Sequence, residues 1–302
     1  MRSCKASSSF VKVRAGPRRN NAAPASRPSV YCATRQARST DAAPTYRGNY
    51  LARFVLVHGA FSGAWIWDAL IARLEELGHT GEAFDLPGLG EDRTPVRDVT
   101  LEAYAARLCE VLAARREPAI VVGSSMGGVV AKQGAARCPD RVAALVYAAA
   151  FNPKDGQSLL DLTKLPEGAG DQVQANIAIA GDPPVAVMSV AASRQALYEC
   201  CADDVAESAI ARQQPQPVAP FVAPVSIPAG ALDRISQYAV VCTRDRAIPP
   251  PLQRRMAEEN ACADVVEIDT DHTPQLSRPD ELAKALDRFA KHVARGSVSS
   301  KL

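Results

Sequence analysis

The sequence predicts an α/β fold in which a mostly parallel sheet is flanked by helices and a helical cap is inserted after the fourth strand. Short apolar runs alternate with amphipathic stretches over residues 54–150 and again over 238–293, as in consecutive βα units. Between these regions, residues 151–236 show no strand pattern and include a proline-rich segment, which does not fit a sheet interior. The 302 residues are enough for one large domain.

Each element is predicted from its own periodicity. Apolar runs that end at glycine or proline predict strands buried on both faces, and apolar residues three or four positions apart predict helices. The expected strands lie within FVLVHGAFSG (54–63), EAFDLPGLG (82–90), AIVVGS (119–124), RVAALVYAAA (141–150), YAVVCT (238–243) and VVEIDT (265–270). The expected helices lie at 64–79, at 101–115 behind the N-cap Thr100, at 126–137, at 249–260 and at 279–293, with shorter helical stretches within 189–212.

The N-terminus differs in composition from the rest of the chain. Residues 1–40 contain no acidic residue, are rich in serine and alanine, and have no long apolar core, as is typical of an organelle transit peptide. SVYCAT (29–34) is similar to the V-x-C-A site at which chloroplast transit peptides are cut. Cleavage after Cys32 would change the formal net charge from +2 to −5, which argues against a nucleic-acid partner. The basic residues are Arg2, Lys5, Lys12, Arg14, Arg18, Arg19, Arg27, Arg35 and Arg38.

These features predict three parts of the chain. Residues 1–45 are expected to be a transit peptide and disordered linker, 46–296 an α/β domain with its cap at 151–236, and 297–302 a flexible tail. The alternative for the N-terminus is a basic arm that stays attached. The tail ends in Ser300-Lys301-Leu302, which matches a peroxisomal signal, so the chloroplast is the first expectation and the peroxisome the second. No run of 18 apolar residues occurs, so no membrane span is expected.

The eight cysteines are scattered along the chain and form no C-x-x-C pair. Cys109 and Cys138 fall in expected helices, and Cys242 falls in an expected strand. The spacing predicts buried thiols in a reducing compartment, without a disulfide framework and without a zinc site.

A candidate nucleophile follows the third expected strand. Gly123-Ser124-Ser125-Met126-Gly127 fits the pattern G-x-S-x-G, in which a sharp turn from strand to helix exposes the central serine, here Ser125. The alternative is a tight structural turn without a catalytic role. A phosphate loop is disfavoured because no Lys-Ser/Thr pair follows.

A serine nucleophile needs a base and an orienting carboxylate. His272 lies on the loop after the last expected strand, at the same sheet edge as Ser125, and Asp245 lies on the loop after the preceding strand. Asp269 and Asp271 are nearer to His272 in sequence. However, Asp269 lies at the end of the strand, and Asp271 is too close along the chain to reach the far side of the ring easily. The oxyanion hole should use the N–H groups of Ala60 and Met126. The remaining histidines have other expected roles: His58 shapes the Ala60 loop, His79 ends a helix, and His292 faces solvent.

The sequence resembles the α/β-hydrolase superfamily and, within it, the plant methylesterase and hydroxynitrile lyase family with its bacterial relatives. The resemblance covers roughly residues 53–290 and is carried by FVLVHGAFSGAWIWD, DLPGLGEDRTP, VVGSSMGGVVA, RVAALVYAAAF, CTRDRAIPPPLQRRM and DTDHTPQLSRPDELA. It implies the α/β-hydrolase fold, a Ser125–His272–Asp245 triad, an Ala60/Met126 oxyanion hole and a small lid over an apolar pocket, without a metal or cofactor. It leaves a homodimer open.

Two positions depart from that family. The lyases carry a lysine directly after the catalytic histidine, where this chain has Thr273, and this difference favours ester hydrolysis over cyanohydrin cleavage. The esterases commonly carry a Cys-His pair where this chain has Phe61 and Ser62, and the bulky ring argues against methyl salicylate and methyl jasmonate as substrates.

The expected function is therefore hydrolysis of a small carboxylic ester, with a methyl ester favoured, by a serine carboxylesterase through an acyl-enzyme. Its pocket walls should include Phe61, Trp65, Phe151 and parts of 155–235. Two other classes stay open: a hydroxynitrile-type lyase, and a ligand receptor with slow turnover on a hydrolase fold.

Overall fold

The computed structural model describes residues 50–299, with side chains through Arg295. Its centre is a six-stranded sheet in which every neighbouring pair is parallel, and the strand order is β2-β1-β3-β4-β8-β9. The strands are β1 (Arg53–Val57), β2 (Thr80–Ala83), β3 (Ala119–Ser125), β4 (Val142–Ala150), β8 (Ser236–Cys242) and β9 (Asp264–Ile268). The predicted α/β-hydrolase fold, a mostly parallel sheet flanked by helices, is confirmed.

Helices cover both faces of this sheet. The flanking helices are α1 (Asp68–Glu76), α2 (Leu101–Ala113), α3 (Gly127–Arg137), α9 (Pro250–Glu259) and α11 (Pro279–Ser299), and the short α10 (Pro274–Ser277) precedes the last of them. Alternate residues of one strand enter opposite cores, because Phe54 and Leu56 pack with α1 and α11 whereas Val55 and Val57 pack with α2 and α3. Within residues 50–299, no helix combines the length and the apolar character needed to cross a bilayer.

The cap after β4 is mainly helical but contains strands that the sequence pattern did not predict. Its helices are α4 (Leu159–Thr163), α5 (Gln172–Asn176), α6 (Val190–Leu197), α7 (Asp203–Ala211) and α8 (Ala219–Val222). A small antiparallel sheet joins β5 (Ala178–Ala180), β6 (Val185–Val187) and β7 (Gln216–Pro217). The prediction of a cap without strands is therefore wrong. Strands of two or three residues are too short to produce a recognisable alternation of polar and apolar side chains.

Three element boundaries differ from the predictions. The second strand spans Thr80–Ala83, earlier than the strand expected within 82–90 and ending before Pro87, because the Asp85 carboxylate accepts hydrogen bonds from the N–H groups of Ala64 and Glu91 and draws the chain into a turn. The first helix begins with a 3-10 turn and leaves Leu77 partly exposed. The last helix continues to Ser299, into the segment 297–302 predicted as a flexible tail, since adding a residue to an existing helix costs little. Residues 1–45 and the terminal Ser-Lys-Leu lie outside the described residues.

The structure joins Cys109 of α2 and Cys138, directly after α3, by a disulfide, so the prediction of thiols is wrong for this pair. The two Cα atoms are 6.1 Å apart, within the range that a disulfide spans. The 29-residue separation gave no sign of the pairing, because it arises from the packing of α2 on α3. Cys200, Cys201, Cys242 and Cys262 are free thiols.

Candidate active site

Ser125 lies at the end of β3, in the turn that leads directly into α3. Its φ of 55° is in the left-handed region, which non-glycine residues rarely adopt, as expected for a serine held out of a strand-to-helix turn. The turn depends on close backbone approach: a Cβ on Gly123 would lie 2.5 Å from the Gly127 carbonyl oxygen, and a Cβ on Gly127 would overlap the Val57 carbonyl. The small residues of the G-x-S-x-G pattern are therefore required by the local geometry.

His272 and Asp245 are in direct contact. His272 Nδ1 lies 2.8 Å from Asp245 Oδ2, and both side chains are buried. The other carboxylate oxygen, Oδ1, accepts hydrogen bonds from the backbone N–H groups of Ala247 and Ile248, at 2.8 and 2.9 Å. Gln253 Nε2 donates a further bond to Oδ2 at 2.8 Å. The carboxylate is held by its own loop and by α9, and it fixes the orientation of the imidazole.

The two competing aspartates have other partners. Asp269 Oδ1 accepts a hydrogen bond from the Thr243 hydroxyl near the surface. Asp271 accepts hydrogen bonds from the backbone N–H groups of Cys200 and Thr273, at 2.6 and 3.2 Å. Asp271 therefore connects the His272 loop to the cap, and Asp245 is the carboxylate bonded to the ring.

Charge around His272 changes its basicity. Burial alone lowers the pKa of His272, but the charge and hydrogen bond of Asp245, together with the charges of Asp271 and Asp171, raise that pKa above its usual value. The protonated ring is therefore stabilised within a cluster of carboxylates, as a base requires at the moment when it accepts a proton.

The loop after β1 carries the expected oxyanion residue and packs against the nucleophile. Ala60 and Met126 both line the cavity at Ser125, and a Cβ on Gly59 would lie 2.8 Å from the Ser125 Cβ. His58 holds this loop: its Nδ1 lies 2.8 Å from the Gly59 carbonyl oxygen, and its Nε2 accepts a hydrogen bond from the Leu86 N–H. Burial lowers the pKa of His58, which keeps the ring neutral in this structural role.

The cavity at Ser125 extends beneath the cap and encloses about 610 Å³ of empty space, including its open mouth. Phe61 and Phe151 line it as predicted, and Phe61 adopts a positive φ of 63°. Trp65, predicted as a third wall residue, does not line it; the loop turns the ring toward the cap, where the Arg212 guanidinium lies 4.4 Å from the ring centre. The apolar walls include Ile66, Leu159, Val173, Leu197, Phe221 and Ile248.

Sequence reasoning missed two polar residues near this cavity. Gln253 supports Asp245, and only the packing of α9 brings it there. Asp171 is a buried cap residue in the cavity wall. The sequence analysis did not single out Asp171, because only the packing of the cap directs this residue toward the pocket. His79 ends α1 as predicted: its N–H donates a hydrogen bond to the Leu74 carbonyl at 2.9 Å, and its buried ring accepts one from the Ala52 N–H. His292 is only partly exposed, near Asp264.

The fold and the cavity at the carboxyl edge of the sheet are those of an α/β hydrolase. Comparison with known sequences agrees: the Alpha/beta hydrolase family matches residues 54–285, and this chain belongs to that family.

Named relatives point to ester chemistry. Methylesterase 7 of Arabidopsis thaliana is 30% identical, over 80% of this chain and 97% of the relative. The alpha-hydroxynitrile lyase of the same plant is also 30% identical, over 78% of this chain and 96% of its own length. The crystal structure of a polyneuridine aldehyde esterase mutant superposes with a TM-score of 0.70 at 25% identity, over 79% of this chain and 99% of that chain. The methylesterase relatives and esterase structures support a hydrolase that acts on esters. Several relatives are named as chloroplastic methylesterases.

Proposed function

We propose that this chain is a serine carboxylesterase that hydrolyses a small carboxylic ester, with a methyl ester favoured, through an acyl-enzyme. The observation that carries the proposal is the contact of His272 Nδ1 with Asp245 Oδ2 at 2.8 Å, in a cavity wall that also contains the strained Ser125. Nucleophile, base and orienting carboxylate are the three groups that acyl transfer requires.

Acylation follows from these positions. Because Nδ1 of His272 is engaged by Asp245, Nε2 is the atom that takes the proton from Ser125 Oγ as this oxygen attacks the ester carbonyl carbon. The backbone N–H groups of Ala60 and Met126 bind the oxyanion, and each such donor contributes about 2.7–4 kcal/mol to the transition state. The intermediate collapses when His272 returns the proton to the departing alkoxide, which leaves as the alcohol.

Deacylation repeats these steps with water. His272 takes a proton from the water as its oxygen attacks the acyl carbonyl, and the second tetrahedral intermediate releases the carboxylic acid and restores the Ser125 hydroxyl. Asp245 remains a carboxylate throughout and keeps the imidazole in the tautomer that presents Nε2 to the serine.

Thr273, the uncharged residue directly after His272, argues against the lyase alternative. The Thr273 hydroxyl donates a hydrogen bond to the Leu197 carbonyl at 2.8 Å, and no lysine or arginine is among the described residues that line the cavity. A departing cyanide would therefore meet no fixed cation there. We expect hydrolysis of p-nitrophenyl acetate and little cyanide release from mandelonitrile; efficient cyanide release would reverse this order.

The nucleophile is tested by paired serine variants. A fluorophosphonate probe should label wild-type protein at Ser125, and Ser125→Ala should lose labelling and about 10⁶-fold in kcat, as in subtilisin. The neighbouring Ser124→Ala is the matched control and should still be labelled. Labelling of Ser124, or an active Ser125→Ala protein, would remove the triad from the proposal. Product formation limited to one equivalent per protein would instead favour the receptor alternative.

We also propose the chloroplast as the location of this protein. The names of several relatives and the basic, serine-rich N-terminus support it.

A further inference from the structure

The cap contributes one carboxylate to the cavity wall. Asp171 is 9% exposed and lines the same cavity as Ser125 and His272. It is the N-cap residue of α5, and its Oδ1 accepts hydrogen bonds from the backbone N–H groups of Val173 and Gln174, at 2.8 and 2.9 Å. Within residues 50–295, its Oδ2 has no hydrogen-bond partner. One oxygen therefore holds the helix, and the other is left for a ligand.

Backbone contacts fix this carboxylate close to the reacting groups. The N–H of Gln172, the next residue, donates a hydrogen bond at 2.8 Å to the carbonyl of Arg246, which directly follows Asp245. The charge of Asp171 also helps to raise the pKa of His272, so the carboxylate lies within electrostatic range of the imidazole. The start of α5 is therefore joined directly to the loop that carries Asp245.

Burial disfavours the charged form of Asp171. Burial raises its pKa to about 6, although its two backbone hydrogen bonds and the charge of His272 oppose that rise. Among the described residues that line the cavity there is no lysine or arginine to neutralise it. Asparagine or serine would cap α5 about equally well without this penalty. A buried charge that costs stability and that helix capping does not require indicates a role in binding.

A second acceptor in the same wall also lacks a donor. Gln275 is 1% exposed and lines the cavity, and its Oε1 is buried without a hydrogen-bond partner. Its Nε2 lies 3.5 Å from Ser124 Oγ. Two side-chain oxygens of this wall, Asp171 Oδ2 and Gln275 Oε1, are therefore acceptors without a donor among the described residues, and most of the remaining wall is apolar. Such a lining fits a ligand that has an apolar body and a hydrogen-bond donor.

We propose that Asp171 is a specificity residue that accepts a hydrogen bond from a hydroxyl or a protonated amine on the ester substrate. The enzyme then favours donor-bearing esters over apolar esters of the same shape and disfavours esters that carry a second, free carboxylate. This inference rests on the proposed esterase function.

The test uses four methyl 3-phenylpropanoates that differ only in the para substituent: ethyl, hydroxymethyl, aminomethyl and carboxylate. Wild-type kcat/KM should be higher for the hydroxymethyl and aminomethyl compounds than for the para-ethyl compound of the same shape, and lowest for the carboxylate. Asp171→Asn keeps an acceptor for the helix cap but removes the charge. It should reduce the ratio of kcat/KM for the aminomethyl and para-ethyl compounds about 10- to 100-fold, the value of a charge-assisted hydrogen bond, and raise kcat/KM for the carboxylate compound.

Asp161→Asn is the matched control. Asp161 is also a cap carboxylate at the start of a short helix, where it bonds Ser158, but it does not line the cavity. Its substitution should leave the substrate ratios unchanged. Equal shifts in both variants would show that the net charge of the cap sets the preference and would overturn the assignment to Asp171.

Two further measurements distinguish a binding role of Asp171 from a purely structural one. The Kd values of the four esters for Ser125→Ala, measured by calorimetry, should follow the same order, and adding Asp171→Asn to this variant should remove that order, which tests Asp171 without turnover. Asp171→Asn should raise Tm at pH 8, and the gain should shrink as pH falls below about 6, where the native carboxyl is protonated.

A change in Tm with unchanged kcat/KM ratios and an unchanged Kd order means that Asp171 is structural only. Absence of hydrolysis of every ester by wild-type protein would overturn the esterase proposal, and hydrolysis without a donor preference would overturn only this inference.

Discussion

At the scale of single residues, the site uses a strained backbone conformation and buried carboxylates, each of which costs free energy unless other contacts offset it. Ser125 occupies a backbone region that costs of the order of 1–3 kcal/mol for a residue with a side chain. Asp245 is buried, but four hydrogen bonds satisfy its two oxygens. Asp171 is largely buried, and among the described residues its Oδ2 has no hydrogen-bond partner. Hydrogen bonds thus offset the burial of Asp245, which orients the imidazole. They offset it only in part at Asp171, which lines the cavity where a substrate would bind.

The raised pKa of His272 leads to a prediction about pH. Hydrolysis requires the neutral ring, so kcat/KM should fall on the acid side with a midpoint above that of an ordinary histidine. Asp271→Asn removes a charge that raises this pKa and should move the midpoint to lower pH. Asp269→Asn, two positions away in the same segment, should leave it unchanged, because that carboxylate bonds Thr243 near the surface. Equal movement in both variants would contradict a local effect. The profile is measured from pH 5 to 9 with one ester.

Residue roles differ in how far the sequence predicts them. Ser125, Asp245 and His272 were expected together because each lies on a loop at the carboxyl end of a recognisable strand, and parallel strands bring such loops to one edge. Asp171, Gln253 and the placement of Trp65 depend on how the cap and α9 pack. No local spacing encodes these contacts.

At the scale of elements, the unit formed by β3, its turn and α3 connects the site to the core. The strand is buried throughout its apolar part, and α3 is buried along nearly its whole length. The sequence predicted this unit and the succession of main-sheet strands and helices along the chain, since long apolar runs and glycine-bounded turns are local signals. It did not predict the strands of the cap, which are short, or the disulfide between α2 and the end of α3, which is non-local.

The disulfide should contribute measurably to stability. Its partners are 29 residues apart, and a cross-link of that length stabilises a fold by about 3–4 kcal/mol through the reduced entropy of the unfolded chain. Wild-type protein should therefore unfold at lower urea concentration after treatment with dithiothreitol. Cys109→Ser should unfold at that lower concentration with or without the reductant. If reductant shifts the wild-type and Cys109→Ser transitions equally, the stabilisation does not come from this bond.

At the scale of the whole molecule, the cap is attached to the sheet domain by ion pairs as well as by apolar packing. Arg255 of α9 pairs with Glu167 of the cap at 2.6 Å, and Arg246 pairs with Glu199 at 3.0 Å. These pairs are partly exposed, and each is worth about 1 kcal/mol or less. The arrangement combines a rigid sheet that carries the proposed triad with a cap of short elements that forms much of the pocket wall. Substrate preference can therefore change through the cap while the reacting groups stay in place.

The two ends of the chain predict different destinations, and reporter fusions can decide between them. Residues 1–45 carry the basic, serine-rich segment that is typical of a transit peptide. A fluorescent reporter with only residues 1–45 at its N-terminus should enter the plastid. A reporter that ends in the last ten residues should enter peroxisomes, because Ser-Lys-Leu is read only at the extreme end. The matched control lacks Leu302 and should stay in the cytosol. The full chain with an internal tag should follow its N-terminus. If the N-terminal fusion stays in the cytosol, the chloroplast proposal fails and the peroxisome becomes the better assignment.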